Sequence, residues 1–142
     1  MAQDRWAWAL DQHIASEHGA GQLIIEEVLE RLAEHQWTAH DIFSVRLALE
    51  EAIVNAIKHG NGLDSNKHVH VVCKISSEAM WAQITDQGEG FDPEEVPDCT
   101  DLENLDRPSG RGIMLMRCYM TRVEYNAAGN IVEMEKRRST SK

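Results

Sequence analysis

Hydrophobic positions change period several times along this chain, and each change marks an element. Trp6, Trp8 and Leu10 alternate, which predicts a short opening strand over 6–10. From 20 to 36, Leu23, Ile24, Val28, Leu29 and Leu32 recur at helical spacing. Thr38 is then an N-cap with Asp41 at the third helical position, and a second helix runs to His59 with Ile42, Val45, Leu49, Ile53 and Ile57 facing inward. Gly60 reads as the helix stop and "GNGLDSN" as a loop. "HVHVVCKIS" and "MWAQITD" alternate with period two on either side of "SEA", the pattern of an antiparallel hairpin. After a long acidic stretch punctuated by Gly and Pro, "GIMLMRCYM" reads as a helix opening directly from glycines. "TRVEYN" and "NIVEMEKR" close the chain as a hairpin around "AAGN", with a tail from about 138 to 142 expected to fray.

Without repeats or a linker, 142 residues make one domain with a real core. The order of elements predicts an α+β fold over 1–142, a two-layer sandwich with a mixed β-sheet and helices packed on one face. Its formal charge of −10 repels a phosphate backbone, so nucleic acid is not expected as a partner. The apolar runs "LII" and "AIV" are interrupted by charge within a few residues, and no membrane span is expected. Nor does "MAQDRWAWALDQH" have the basic region and apolar stretch of a secretory signal. Cys73, Cys99 and Cys118 form no CxxC pair and read as free thiols of a reducing, cytoplasmic compartment. His68 and His70 share one strand face; lacking a nearby carboxylate or thiol in sequence, they read as surface residues rather than metal ligands.

Candidate chemistry concentrates in three places. In "EEAIVNAIKHGNG", residues 50–62, the spacing of four sets Glu51, Asn55 and His59 on one stripe of an otherwise apolar helix. "DQGEG", Asp86 to Gly90, follows a strand, and "SGRG", Ser109 to Gly112, precedes a helix. Each alone is a common turn; together they fit a nucleotide. A carboxylate at Asp86 can accept from an exocyclic amine such as that of adenine, while Gly88 and Gly90 let backbone approach the base. Gly110 and Gly112 leave N–H groups open at a helix N-terminus, where phosphate is favoured. The amide oxygen of Asn55 is the kind of ligand Mg²⁺ takes beside substrate phosphates. No GxxxxGK[ST] occurs, so this is not a Walker loop.

"EAIVNAIKHG", "DQGEGFD" and "SGRGIMLMRCYM", in that order and spacing, resemble the N, G1 and G2 boxes of the GHKL ATP-binding superfamily, and most of all its anti-sigma factor serine/threonine kinase branch. The resemblance covers about residues 10 to 138. It implies a Bergerat-type fold that uses ATP and Mg²⁺, with Asn55 holding the metal, Glu51 as general base and Asp86 bonded to the adenine amine. Gly88, Gly90, Gly110 and Gly112 would frame base and phosphates under a lid of about 92–109, with Arg111 a candidate phosphate contact. The lid, poor in apolar anchors, is expected to order with nucleotide. As partners the resemblance implies a small STAS-type anti-sigma factor antagonist, phosphorylated on serine, and a sigma factor; the branch's tendency to pair implies a homodimer. Histidine kinases usually carry Asn where this chain has Glu51, which favours a hydroxyl acceptor. The alternative is a non-catalytic switch whose nucleotide state alone sets partner choice. One departure is Gly129–Asn130, where many members have a Gly-Thr pair whose threonine helps bind adenine.

Overall fold

The computed structural model describes residues 6–17, 19–64, 66–88, 116–126 and 129–139, apart from the side chain of His59. Strand β1 (Trp8–Ala15) leads to helices α1 (Gln22–Glu34) and α2 (Ala39–Val54). The hairpin β2 (His68–Ile75) and β3 (Ala79–Thr85) follows, and β4 (Arg122–Tyr125) and β5 (Ile131–Arg137) form the last hairpin. The five strands stand in the order β1-β2-β3-β5-β4.

Every neighbouring pair in this sheet is antiparallel, not the mixture expected. The reason lies in the long connection after β3. A crossover would set β4 parallel to β3, and it does, but β5 returns between them and pairs antiparallel with both. The opening strand also runs further than expected. Gln12 interrupts the apolar face begun by Trp8 and Leu10, yet β1 continues to Ala15: Ile14 resumes that face, Asp11 and His13 lie on the other, and the edge position leaves Gln12 exposed.

The core lies between sheet and helices. Ile24, Ile25, Val28 and Leu32 from α1 meet Val45, Leu49 and Ile53 from α2 over Val69, Val71, Cys73, Ile75, Met80, Ala82 and Ile84 of the sheet. These β2 and β3 residues alternate with outward-facing ones, as period two requires. Of the residues expected to face inward from the second helix, Ile42 is the half-buried exception. Burial pushes the Cys73 thiol up to about 12, so it remains an inert core residue. Cys118, contrary to the free-thiol expectation, is disulfide-bonded. No helix among the described residues is long and apolar enough to cross a membrane.

Of the tail expected to fray, Arg138 and Ser139 are held by hydrogen bonds, and 140–142 lie outside the described residues. Thr38 caps α2 by accepting the Asp41 N–H at 3.1 Å, and the fully buried Asp41 carboxylate then receives Ser139 twice. The Ser139 N–H donates to Oδ2 at 2.8 Å and its hydroxyl to Oδ1 at 2.7 Å. Arg138 meanwhile donates to the carbonyls of His35, Gln36 and Ser77. Burial raises the Asp41 pKa, but the two Ser139 bonds, Lys136 and His40 outweigh it and hold the carboxyl below its ordinary value. This contribution to stability is therefore present above the ordinary carboxylate pKa and is lost as pH falls through the lowered one. We expect Asp41→Ala to lower the unfolding free energy in urea at neutral pH by about 2–3 kcal/mol, the scale of hydrogen bonds to a charged group. A loss below about 0.5 kcal/mol, within the scatter of surface changes, would show that the tail is not held this way.

Candidate functional site

Helix α2 does not continue as an α-helix to His59. At Asn55 it widens into a π-helical turn, Asn55–Gly60, in which the Asn61 N–H reaches back five residues to the Ala56 carbonyl at 2.9 Å. Glu51 and Asn55 still stand one α-turn apart, the amide of Asn55 bonding the carbonyls of Glu51 and Ala52. The expected three-residue stripe ends there, because the wider turn alters the spacing beyond Asn55. The His59 side chain lies outside the described residues.

The π-turn delivers Gly60 and Asn61 to the end of β3. Gly60 lacks the left-handed φ expected of a helix-terminating glycine; Gly62 and Leu63 take those conformations instead, at φ of 62° and 59°. What requires glycine at 60 is close approach: a Cβ there would overlap the carboxylate of Asp86. Gly88 is constrained in the same way, since its Cβ would overlap the carbonyl of Gly60. Turn and loop thus press together with no room for a side chain between them.

Asn61 locks this contact. Its Nδ2 donates to Ser16 Oγ at 2.8 Å and to the His68 carbonyl at 3.0 Å, and its Oδ1 accepts the Gln87 N–H at 2.7 Å. Buried to 3 % exposure, the amide joins the end of β1, the start of β2 and the loop after β3. Because Gln87 N–H can only donate and His68 C=O only accept, the amide has a single orientation. Asn61 was read from sequence as loop; the only signal was its place directly after a helix-ending glycine.

Asp86 caps β3, its N–H bonded to the Asn130 carbonyl at 2.9 Å and its Oδ1 accepting the Gly88 N–H at 2.8 Å. Burial raises its pKa, opposed by the Gly88 bond and by Lys67. Asp86 and Asn55 line one cavity, together with Ala52, Ala56, Ile84, Tyr125, Asn130 and Val132. Its walls combine aliphatic side chains with a carboxylate, two amides and a phenol. Tyr125 escaped the sequence reading. Burial pushes its phenol above the ordinary range, Arg117 and a hydrogen bond with the Asn55 side chain pull it down, and Asp86 pushes it up. Asn130, the departure from the Gly-Thr pattern, lines the same cavity and donates from Nδ2 to the Asp86 carbonyl at 3.4 Å. Half-buried Glu51 is not among the lining residues. Gly90, Gly110, Arg111, Gly112 and the lid at 92–109 lie outside the described residues; of the helix expected after the glycines, 116–119 is described and helical.

A β-sheet backed by two helices, with an asparagine and a buried carboxylate converging between helix end and strand end, is the arrangement of a nucleotide-binding ATPase domain. The chain belongs to the histidine kinase-like ATPase domain family, which matches residues 15–136, and the nucleotide of this fold is ATP. Among curated proteins it is similar to the serine/threonine-protein kinase BtrW of Bordetella bronchiseptica, with 27% identity over 68% of this chain and 70% of that one. It is 33% identical to the serine-protein kinase RsbW of Staphylococcus epidermidis over 68% of this chain and 65% of the relative. The anti-sigma F factor of Clostridium botulinum is 28% identical over 77% and 73%. The crystal structure of the RsbU and RsbW domains of Rv1364c from Mycobacterium tuberculosis shares the fold, with a TM-score of 0.64 at 19% identity; the match covers 95% of this chain and 34% of that one.

The packing around Asp86 generates a prediction. Asn61→Ala should weaken ATP binding by roughly tenfold, the worth of one hydrogen bond of about 1.4 kcal/mol that fixes the loop. Gly60→Ala should be more damaging, because its Cβ displaces Asp86 directly. Calorimetric titration of both folded variants tests this; ATP affinity equal to wild type in Gly60→Ala would show that the contact does not position the site.

Proposed function

We propose that this chain is an ATP- and Mg²⁺-dependent serine/threonine protein kinase acting as an anti-sigma-type switch. Its substrate would be a serine of a small STAS-type antagonist protein, its second partner a sigma factor, and its setting the cytoplasm. The observation that carries this reading is the single cavity bordered by Asn55 and Asp86, one α-turn beyond Glu51. Names of the similar kinases and anti-sigma factor support the substrate class.

The residues present fit the ligands. Ala52, Ala56, Ile84 and Val132 offer apolar walls to a purine, and Asp86 offers a carboxylate acceptor to its amine. Asn55 supplies one amide oxygen, which suits Mg²⁺, an ion that takes one or two protein ligands beside substrate phosphates and keeps several waters. The metal, when bound, neutralises charge on the phosphates. Glu51, a carboxylate one turn before Asn55, would orient the serine hydroxyl and accept its proton as the oxygen attacks the γ-phosphorus, the bond from that phosphorus to the β,γ-bridging oxygen breaking so that ADP leaves. Gly110, Arg111 and Gly112 complete the phosphate site in this reading, with Gly88 and Gly90 beside the base.

A second reading is a non-catalytic switch of the same fold, in which nucleotide state alone sets partner choice. One set of variants separates the two. Glu51→Gln should leave nucleotide binding nearly intact and reduce transfer of labelled γ-phosphate to the purified partner by about a hundred- to ten-thousand-fold. Asn55→Ala should impair Mg²⁺-dependent binding and transfer together. Glu50→Gln, about 100° round the helix, is the control and should change little. Transfer by Glu51→Gln at the wild-type rate would overturn the base assignment; no transfer by wild type would favour the passive switch.

A further inference from the structure

The histidines left aside as surface residues acquire a partner set in the fold. His68 stands opposite Ala15, but His70 stands directly opposite His13 across the β1–β2 ladder. Their rings stack with centroids 4.3 Å apart and planes within 5°. Asp11, two residues before His13 and so on the same face, places Oδ1 at 2.6 Å from His70 Nε2. One ligand atom from each of the three residues lies within 4.8 Å of the other two. The missing carboxylate is thus present, 59 residues away in sequence.

We infer that Asp11, His13 and His70 form a binding site for a divalent transition-metal ion of the zinc type. Two imidazoles and a carboxylate are a donor set that Zn²⁺ accepts with bonds of about 2.0–2.2 Å, water completing the shell. Tetrahedral geometry at those lengths asks for donors roughly 3.3 Å apart. The exposed Asp11 and His13 reach that spacing by rotating about their side-chain bonds, which unstacks the two rings. The hydrogen bond between His70 and Asp11 would give way as the ion takes its place, each imidazole binding through a ring nitrogen that carries no proton. Backbone positions need not change, since the antiparallel ladder already sets all three residues on one face. Mg²⁺ prefers an all-oxygen shell and does not compete. The acidic chain favours cations generally. By bridging β1 and β2 the ion would fasten a strand that, among the described residues, pairs with one neighbour. Neither the nucleotide nor Glu51 enters this inference.

The alternative is an ordinary surface arrangement, an Asp–His hydrogen bond with a second histidine stacked on it, and it predicts no specific binding. The test is calorimetric titration of ZnCl₂ into the full, tag-free, EDTA-treated chain with Mg²⁺ present. One site per chain is expected, with a dissociation constant on the order of micromolar. His13→Ala and His70→Ala should each weaken it by about tenfold or more, since even residues that only support a ligand cost 10–100-fold. Thermal unfolding should shift upward with Zn²⁺ for wild type and not for the double variant. Both substitutions sit on the solvent face, and unchanged ATP binding in each confirms that the fold is intact. No zinc binding by wild type at about 100 µM, or equal binding by both variants, would overturn the site.

Discussion

A buried amide can remain in a protein interior only if its donors and acceptor are matched, and at Asn61 the matching groups come from three separate stretches of chain. Ser16 belongs to the end of β1, His68 to the start of β2, and Gln87 to the loop that follows β3. The helix must end where Asn61 can reach all three. A continuous α-helix to Gly60 would rotate the amide away, and the π-turn is the local adjustment that brings it round. Ser16, itself fully buried, relays the hold to the Lys67 carbonyl through its hydroxyl at 2.8 Å. Sheet edge, helix end and candidate site are therefore fixed by one network rather than by three independent contacts.

From this constraint the rest of the site follows. With Asn61 fixed, Gly60 is pressed against the Asp86 carboxylate and Gly88 against Gly60, so Asp86 has little freedom of direction. The carboxylate is desolvated, yet it borders a cavity whose other walls are largely apolar, where one hydrogen bond discriminates strongly. On the opposite wall Asn55 opens the π-turn and its side chain meets Tyr125, so the amide is already oriented before any ligand arrives. In the proposed reading, base recognition at Asp86 and metal binding at Asn55 would both depend on this same helix end.

Much of this was legible in the chain. Regular periodicity gave away both helices and the β2–β3 hairpin, and Thr38 with Asp41 marked the start of α2. The alternation of β2 also separated its buried residues from its exposed ones. What escaped was whatever depends on residues distant in sequence. A strict alternation rule stopped β1 at Leu10, because Gln12 takes the next position on the apolar face and nothing local says that an edge strand leaves it exposed. The π-turn was invisible, since the apolar positions through Ile57 suit either helical form. Gly60 was recognised as special for the wrong reason, conformational freedom instead of close approach to a carboxylate 26 positions later. Tyr125 and Asn61 carry no motif at all; only the fold brings them to Asn55 and Gln87. The order of elements suggested a mixed sheet, but β5 stands between β3 and β4 and leaves every neighbouring pair antiparallel.

In the proposed reading, the cavity bordered by Asn55 and Asp86 takes an adenine nucleotide through the Asp86 carboxylate. This is tested most directly by calorimetric titration of ATP and GTP, each with Mg²⁺, into wild type and Asp86→Asn. The account predicts that wild type prefers ATP. It also predicts that Asp86→Asn weakens ATP by about ten- to a hundred-fold, equivalent to roughly 1.5–3 kcal/mol, while GTP changes little. Wild type that binds no ATP, or an Asp86→Asn variant that binds it as tightly as wild type, would contradict it.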